Sequence, residues 1–301
     1  MSKRRSKGRN KARMPTISRS AKVTNTGYSE TGASYKKGSL AGWRPVRSSP
    51  QSDIDANLST LRARSASLTM GTPIASSAVN NSRTNVIGAG LRVSPRPKYG
   101  LLGMTAEEAE TWAKHTKEEF DLWAASPFAD ICKRNNFYDM QDIAYMCYLI
   151  DGDSFAAIKY RRPEVYMPYG LRLQLVEGAR ICNPGVTGIV GAISPWTITI
   201  HNPDNGNRII NGVEVDDDGA VTAYWICNRY PYDPANMSMA PEWQRVDAFG
   251  LRSGMPNILQ ICHDERPEQY RGVPYLAPVI EVIKQVGRYS DAELTSAIIK
   301  S

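Results

Sequence analysis

The sequence predicts an α+β fold: a helical N-terminal part, then antiparallel hairpins, then a C-terminal helix. Three observations carry that expectation. Thr105-Ala106-Glu107-Glu108 has the spacing of a capping box and opens a stretch bearing Trp112, Phe120 and Trp123. Asp216, Asp217, Asp218 and Gly219 stand between two apolar runs, as a hairpin turn does. From Pro274 to Ser301, Leu276, Val279, Ile280, Ile283 and Val286 recur at helical spacing.

The elements follow in order. Residues 1–50 are rich in Ser, Gly, Lys and Arg and poor in large apolar side chains. They cannot bury enough surface to offset ordering, so they read as a disordered basic arm, with an α+β domain over 51–301. Ser52 is positioned as an N-cap for a helix through Leu58, Leu61 and Leu68 to Met70, with Asp53 and Asp55 in its first turn. Thr72-Pro73 starts a second helix to about Asn85, with Ile74, Ala78 and Val79 on its apolar side. Val86 to Val93 reads as a strand entry with two glycines. The capped helix places Trp112 and Trp123 in a core and ends near Pro127. Another helix spans about Asp139 to Leu149, with Ile143, Met146, Cys147 and Ile150 as its buried stripe. Asp151-Gly152-Asp153 is a turn, Phe155 to Tyr160 a strand, and Leu171 to Val176 a strictly alternating strand. Arg208 to Val215 and Ala220 to Cys227 form the hairpin around the aspartate turn, and Asn257 to His263 gives one more strand. Gly287 weakens the middle of the final helix. No Gly or Asn cap follows Leu294 to Ile299, so the chain reads as stopping inside a helix, truncated at its C-terminus.

The formal charge of +7 over 301 residues is unevenly spread. Residues 1–50 hold thirteen Lys and Arg against one acid, Glu30, and the remainder holds 24 basic against 29 acidic residues. A +12 arm on a −5 body follows, and the body is not a basic nucleic-acid binder. Lys3, Arg4, Arg5, Lys7, Arg9, Lys11 and Arg13 read either as a solvated arm or as contacts to a polyanion, and the two readings are compatible. No apolar run is long enough for a membrane span, and no secretory signal is recognisable. The five scattered cysteines fit buried thiols in a reducing cytoplasm better than disulfides or a zinc site.

Catalytic signatures are absent. The sequence contains no phosphate-binding loop, H-E-x-x-H, C-x-x-C or G-x-S-x-G, and only His115, His201 and His263 are available for a triad. Asp216 to Asp218 invite a metal-dependent nuclease reading, but aspartates at a hairpin tip belong to turn chemistry. Asp151 and Asp153 flank a glycine in the same way, and Cys262 to Glu265 continue a strand into a loop. No cofactor, metal or catalytic residue is expected.

The stretch from His263 to Val279 resembles the portal proteins of lambda-like tailed phages. Arg266-Pro267-Glu268-Gln269-Tyr270-Arg271-Gly272-Val273-Pro274 is similar to the family's R-P-G-Q-x-R-G-V-P run, with Glu268 where the family places Gly. Asp291 to Leu294 is similar to the helix segment that follows. In correct order upstream, Arg62-Ala63-Arg64-Ser65 with Leu68 resembles the family's first helix, and Asn85 to Leu91 its N-x-V-G-x-G-L turn. Trp123, Asp151 to Phe155 (the family prefers Gly-Glu there), Leu173 to Glu177, and Asn211 to Gly219 with Ala223-Tyr224 complete the series, which covers roughly residues 40–301.

The resemblance implies a wing-like portion of a head-tail connector and a structural protein rather than an enzyme. Such proteins form a closed ring, usually of twelve subunits, at one capsid vertex of the virion. They assemble in the host bacterial cytoplasm with capsid and scaffolding proteins, dock the large terminase subunit, which hydrolyses the ATP, and later hold the tail or its head-tail adaptors. Double-stranded DNA passes through the ring during packaging and ejection. In that setting Arg266, Gln269 and Arg271 are candidates for a subunit interface, since arginine suits bidentate pairing with a carboxylate. The alternative is that they tie the loop to its own domain. Lys3 to Arg13 are candidates for contact with DNA or an acidic scaffolding partner. A basic-tailed, nucleic-acid-associated binding module that forms no ring is the other class left open.

Overall fold

The computed structural model describes residues 32–185, 199–231, 233 and 240–300. The arm residues Lys3 to Arg13 lie outside the described residues. The chain divides into two compact units, Met1–Arg47 and Ser48–Ser301. In the first, the described residues form turns in which the Arg44 guanidinium lies 5.5 Å from the Tyr35 ring centre.

In the second unit, helices come first. A single wide turn at Gln51–Asp55 precedes α1 (Leu58–Gly71), and α2 (Pro73–Val86) follows at once. Ser52 does not cap α1: Asp55 is drawn inward, where Asn211 Nδ2 donates to its carboxylate at 3.4 Å, and the helix starts later. Pro73 opens α2 as expected, but Ala75 and Val79 are its buried pair and Ile74 and Ala78 face outward. A short helix α3 (Tyr99–Leu102) leads to α4 (Ala106–Ala125), whose capping box forms in full between Thr105 and Glu108. Helix α5 (Phe137–Asp151) is capped by Asn136 and closed by Gly152 in the left-handed region.

The strands form two antiparallel sheets. The first has the order β2-β1-β8, from β1 (Asp153–Tyr160), β2 (Leu171–Glu177) and β8 (Ile258–Cys262). The second is a five-stranded meander of β3 (Thr199–His201), β4 (Arg208–Ile210), β5 (Val213–Val215), β6 (Val221–Cys227) and β7 (Trp243–Asp247). Phe155, Val176 and Ile258 of the first sheet meet Ile210, Val213, Val215 and Tyr224 of the second in a shared core. A helical core joins Leu68, Ala75, Val79, Leu149 and Leu276, and an aromatic core gathers Trp123, Phe120 and Phe137 around Met167. Helix α6 (Ile280–Lys300) packs Ile280 and Ile283 against the helical core.

Four more expectations are corrected. Arg208 to Val215 is not one strand: Asn211 (φ 46°) and Gly212 (φ 86°) reverse the chain, and a side chain at Gly212 would sit 2.5 Å from the Cys182 backbone nitrogen. Val86 to Val93 is not a strand, because the Leu91 N–H and carbonyl pair with the Gln141 side-chain amide at 2.7 and 3.1 Å. Trp112 is half exposed on α4 while Trp123 is buried. On α5 the fully buried residues are Met140, Ala144 and Leu149 rather than the predicted stripe.

Candidate functional site

The loop that carries the portal-like motif is anchored on one buried carboxylate. Gly152 ends α5 and aims Asp153, the first residue of β1, into the interior. Its carboxylate accepts from Arg62 Nη2 at 2.6 Å, from Arg271 Nε at 2.7 Å and Nη2 at 3.1 Å, and from the Gly272 N–H at 3.2 Å. Arg271 gives its remaining donors to the carbonyls of Ile181 (2.7 Å), Gly178 (2.6 Å) and Asn211, and its guanidinium lies 5.5 Å from the Phe155 ring centre. Arg62, from α1, adds the carbonyls of Asp151 (2.8 Å) and Gly178 (3.2 Å). Burial alone would raise the Asp153 carboxyl, but Arg271 and Arg62 outweigh it and hold it below the usual carboxylate range. The knot joins α1, α5, β1, the turn after β2, the β4–β5 turn and the loop after β8.

Backbone contact completes this anchor. Gly152 and Gly272 meet so closely that a Cβ on Gly272 would fall 1.8 Å from the Gly152 carbonyl oxygen. Beside the knot, a cavity of about 200 Å³ is bordered by Asp55, Ser59, Arg62, Asp151, Cys182 and Asn211. Burial pushes the Asp55 and Asp151 carboxyls up to about 6 despite the nearby arginines.

The three loop residues singled out in the sequence serve different ends. Arg271 is wholly buried and all its donors are spent inside its own domain, so it has none to offer a neighbour. Gln269, also buried, braces the loop by accepting from the Glu265 N–H (3.0 Å) and donating to the Arg271 carbonyl (3.0 Å). Arg266 keeps an outward edge while pairing with Asp53 at 2.6 Å and donating to the Ser48 carbonyl. Glu268, where the family places Gly, has φ 60°, a conformation natural to glycine.

The loop and the β5–β6 hairpin tip border an open cleft of about 650 Å³. At that tip, Asp216 accepts from the N–H groups of Asp218 (3.0 Å) and Ala220 (2.8 Å), which is turn chemistry. Among the described residues, no group of three or more His, Cys, Asp or Glu is placed to hold a metal ion. A second buried carboxylate was not anticipated. Glu214 of β5 accepts from Arg245 Nε (2.8 Å) and Nη2 (3.0 Å), Asn205 (2.7 Å), Asn207 (3.1 Å) and Trp225 (3.0 Å). Burial opposes its charge, yet Arg245 and the amide donors hold it near 2. The signal for it was an acid inside an apolar strand, preceded by the asparagines that fold over it.

A sequence model described as phage portal protein, lambda family, matches residues 36–301. The chain belongs to the lambda family of phage portal proteins. It is 22% identical over 277 residues to the portal protein of Escherichia phage N15, covering 91% of this chain and 48% of that protein. It is likewise 22% identical over 279 residues to portal protein B of Escherichia phage lambda, with the same coverage, and 25% identical over 182 residues to a probable portal protein of Halomonas phage phiHAP-1, covering 60% of this chain and 30% of the relative. The chain spans about half the length of the first two of these relatives. In this portal-family chain the motif run has a physical meaning. Arg271 binds the buried carboxylate, Gly272 permits the close backbone approach, and Gln269 shapes the turn that leads into them. Among the described residues, no helix is long and apolar enough to cross a membrane.

Proposed function

We propose that this chain acts as a structural subunit of a phage portal, a homo-oligomeric ring, twelve-fold in the usual case, at one vertex of the capsid. In that role it carries no catalytic site. It forms part of the conduit for double-stranded DNA in packaging and ejection, and it meets terminase, capsid or scaffolding proteins and head-tail adaptors. The family match across residues 36–301 is the observation that carries this reading. The arrangement of the site supports it, because its strongest interactions hold a loop in one shape and leave the loop's outer face open. Of the three loop candidates, Arg266 has an edge to offer a neighbouring subunit, and Arg271 and Gln269 serve that contact by fixing the loop. The arm residues Lys3 to Arg13 supply a DNA or scaffold contact, since each phosphate neutralised makes binding more salt-dependent.

Electron microscopy of the purified chain tests the main claim. Closed rings with a central hole are expected; monomers that bind DNA tightly point instead to a basic-tailed binding module. Deleting residues 1–20 is expected to weaken DNA or scaffold binding and flatten its salt dependence, and unchanged binding removes the arm from the account.

A further inference from the structure

We propose that the β1–β2 loop is a docking surface for a second copy of this chain, and that it seats in the acidic cleft beside the Asp264–Tyr270 loop of that copy. The inference rests on the ring reading above and names the two faces that would meet.

The first face is a rigid loop with an unsatisfied surface. Between β1 and β2, Tyr160, Val165 and Tyr166 are 78%, 95% and 79% exposed, and Arg161 and Arg162 are exposed beside them. Neither arginine has an ion-pair partner among the described residues. The loop is nevertheless well held. Arg161 N–H donates to the Gly170 carbonyl at 2.9 Å, Glu164 and Met167 exchange backbone hydrogen bonds at 2.9 Å each, and Met167 is sunk in the aromatic core. Tyr166 stacks against Phe128. A fixed surface of tyrosine, valine and arginine loses little entropy when a partner covers it, and tyrosine and arginine are the residue types enriched where contacts carry binding energy.

The second face has the opposite charge. The cleft of about 650 Å³ is bordered by Asp217 and Asp218 of the hairpin tip and by Asp264, Glu265 and Glu268 of the loop. All five are exposed, and of the two arginines that also border the cleft, Arg266 is already paired with Asp53. The two faces lie at opposite ends of the three-stranded sheet. Asp153, paired with Cys262, marks the cleft end of β1, and Tyr160 marks the other, seven residues along and roughly 23 Å away. A ring closed by rotation needs two different, complementary patches on opposite sides of each subunit, and these patches meet that requirement.

A charge-swap experiment on the full chain tests this. One variant carries Arg161→Glu and Arg162→Glu, and the other carries Asp218→Lys and Glu265→Lys, whose carboxylates accept none of the hydrogen bonds described above. Assembly is followed by sedimentation velocity, and folding by circular dichroism. Each variant alone is expected to associate more weakly than the wild type, on the order of tenfold or more, because like charges face each other. Mixing the two restores assembly, since each reversed face then meets its opposite. Folded variants that assemble alone as the wild type does, or that stay apart when mixed, overturn the proposal while leaving the ring reading intact. A wild-type chain that remains monomeric in the same runs overturns the ring reading and this inference together.

Discussion

Replacing Arg271 with methionine tests the knot most directly. The substitution keeps an unbranched apolar stem and removes a guanidinium whose every donor is engaged. Asp153 keeps Arg62 at 2.6 Å and the Gly272 N–H at 3.2 Å, but the Ile181 carbonyl loses the arginine's donor inside the protein. Breaking a buried ion pair by removing one partner costs about 3–5 kcal/mol. A domain is stable by only about 5–15 kcal/mol, so the loss is a large share of the total. At roughly 2–4 °C per kcal/mol for a domain of this size, Tm should fall by about 6–20 °C in a thermal melt followed by circular dichroism. The effect also has a pH signature. Asp153 is held below its ordinary value, so the wild-type advantage is complete above about pH 4 and shrinks as pH falls through the lowered folded value. A drop of less than about 4 °C at pH 7, or a gap that does not narrow in acid, would show that the knot is not what stabilises this loop.

Other outcomes follow from the same structure. Glu214→Gln should cost roughly 2–4 kcal/mol at pH 7, because an amide cannot accept from Arg245, Asn205, Asn207 and Trp225 together. Its wild-type carboxyl is held near 2, so urea midpoints of wild type and variant should converge as pH falls from about 4.5 toward 2. Asp55→Asn should be nearly neutral at pH 4 and stabilising by roughly 3 kcal/mol at pH 8, since burial raises the folded carboxyl to about 6 and the cost of charging it is complete only above that pH; a variant less stable than wild type at pH 8 would contradict this. Glu268→Gly should raise stability by about 0.5–1 kcal/mol by relieving a left-handed backbone, and a lowered Tm would count against strain at that residue.

What could be read in advance was local chemistry. The Thr105–Glu108 capping box, Pro73 at a helix start and the Asp216 turn each depend on residues within one turn of chain, and each forms as expected. Pairings over distance were not legible. Arg62 and Arg271 lie 91 and 118 residues from Asp153, and nothing in a single sequence couples a loop arginine to an aspartate that also suits a turn. Two local signals pointed away from the structure. Asn211-Gly212 is a strong turn signal, masked by the apolar residues on both sides of it. Val86 to Val93 has strand-like composition, but a glutamine side chain takes the place of a neighbouring strand. The family motif fell between these cases. Its residues were recognisable, and their inward direction was set by a carboxylate far upstream.

The knot also orders events during synthesis. Asp153 leaves the ribosome 118 residues ahead of Arg271. At about 5–20 residues per second, roughly 6–24 s pass before the arginine exists. Until then a carboxylate destined for the interior has Arg62 as its one guanidinium partner, and the β1 sheet lacks the loop that will close over its end. The sheet therefore reaches its final packing only after residue 271 has been made, and the order of translation itself decides when that end of the sheet can close.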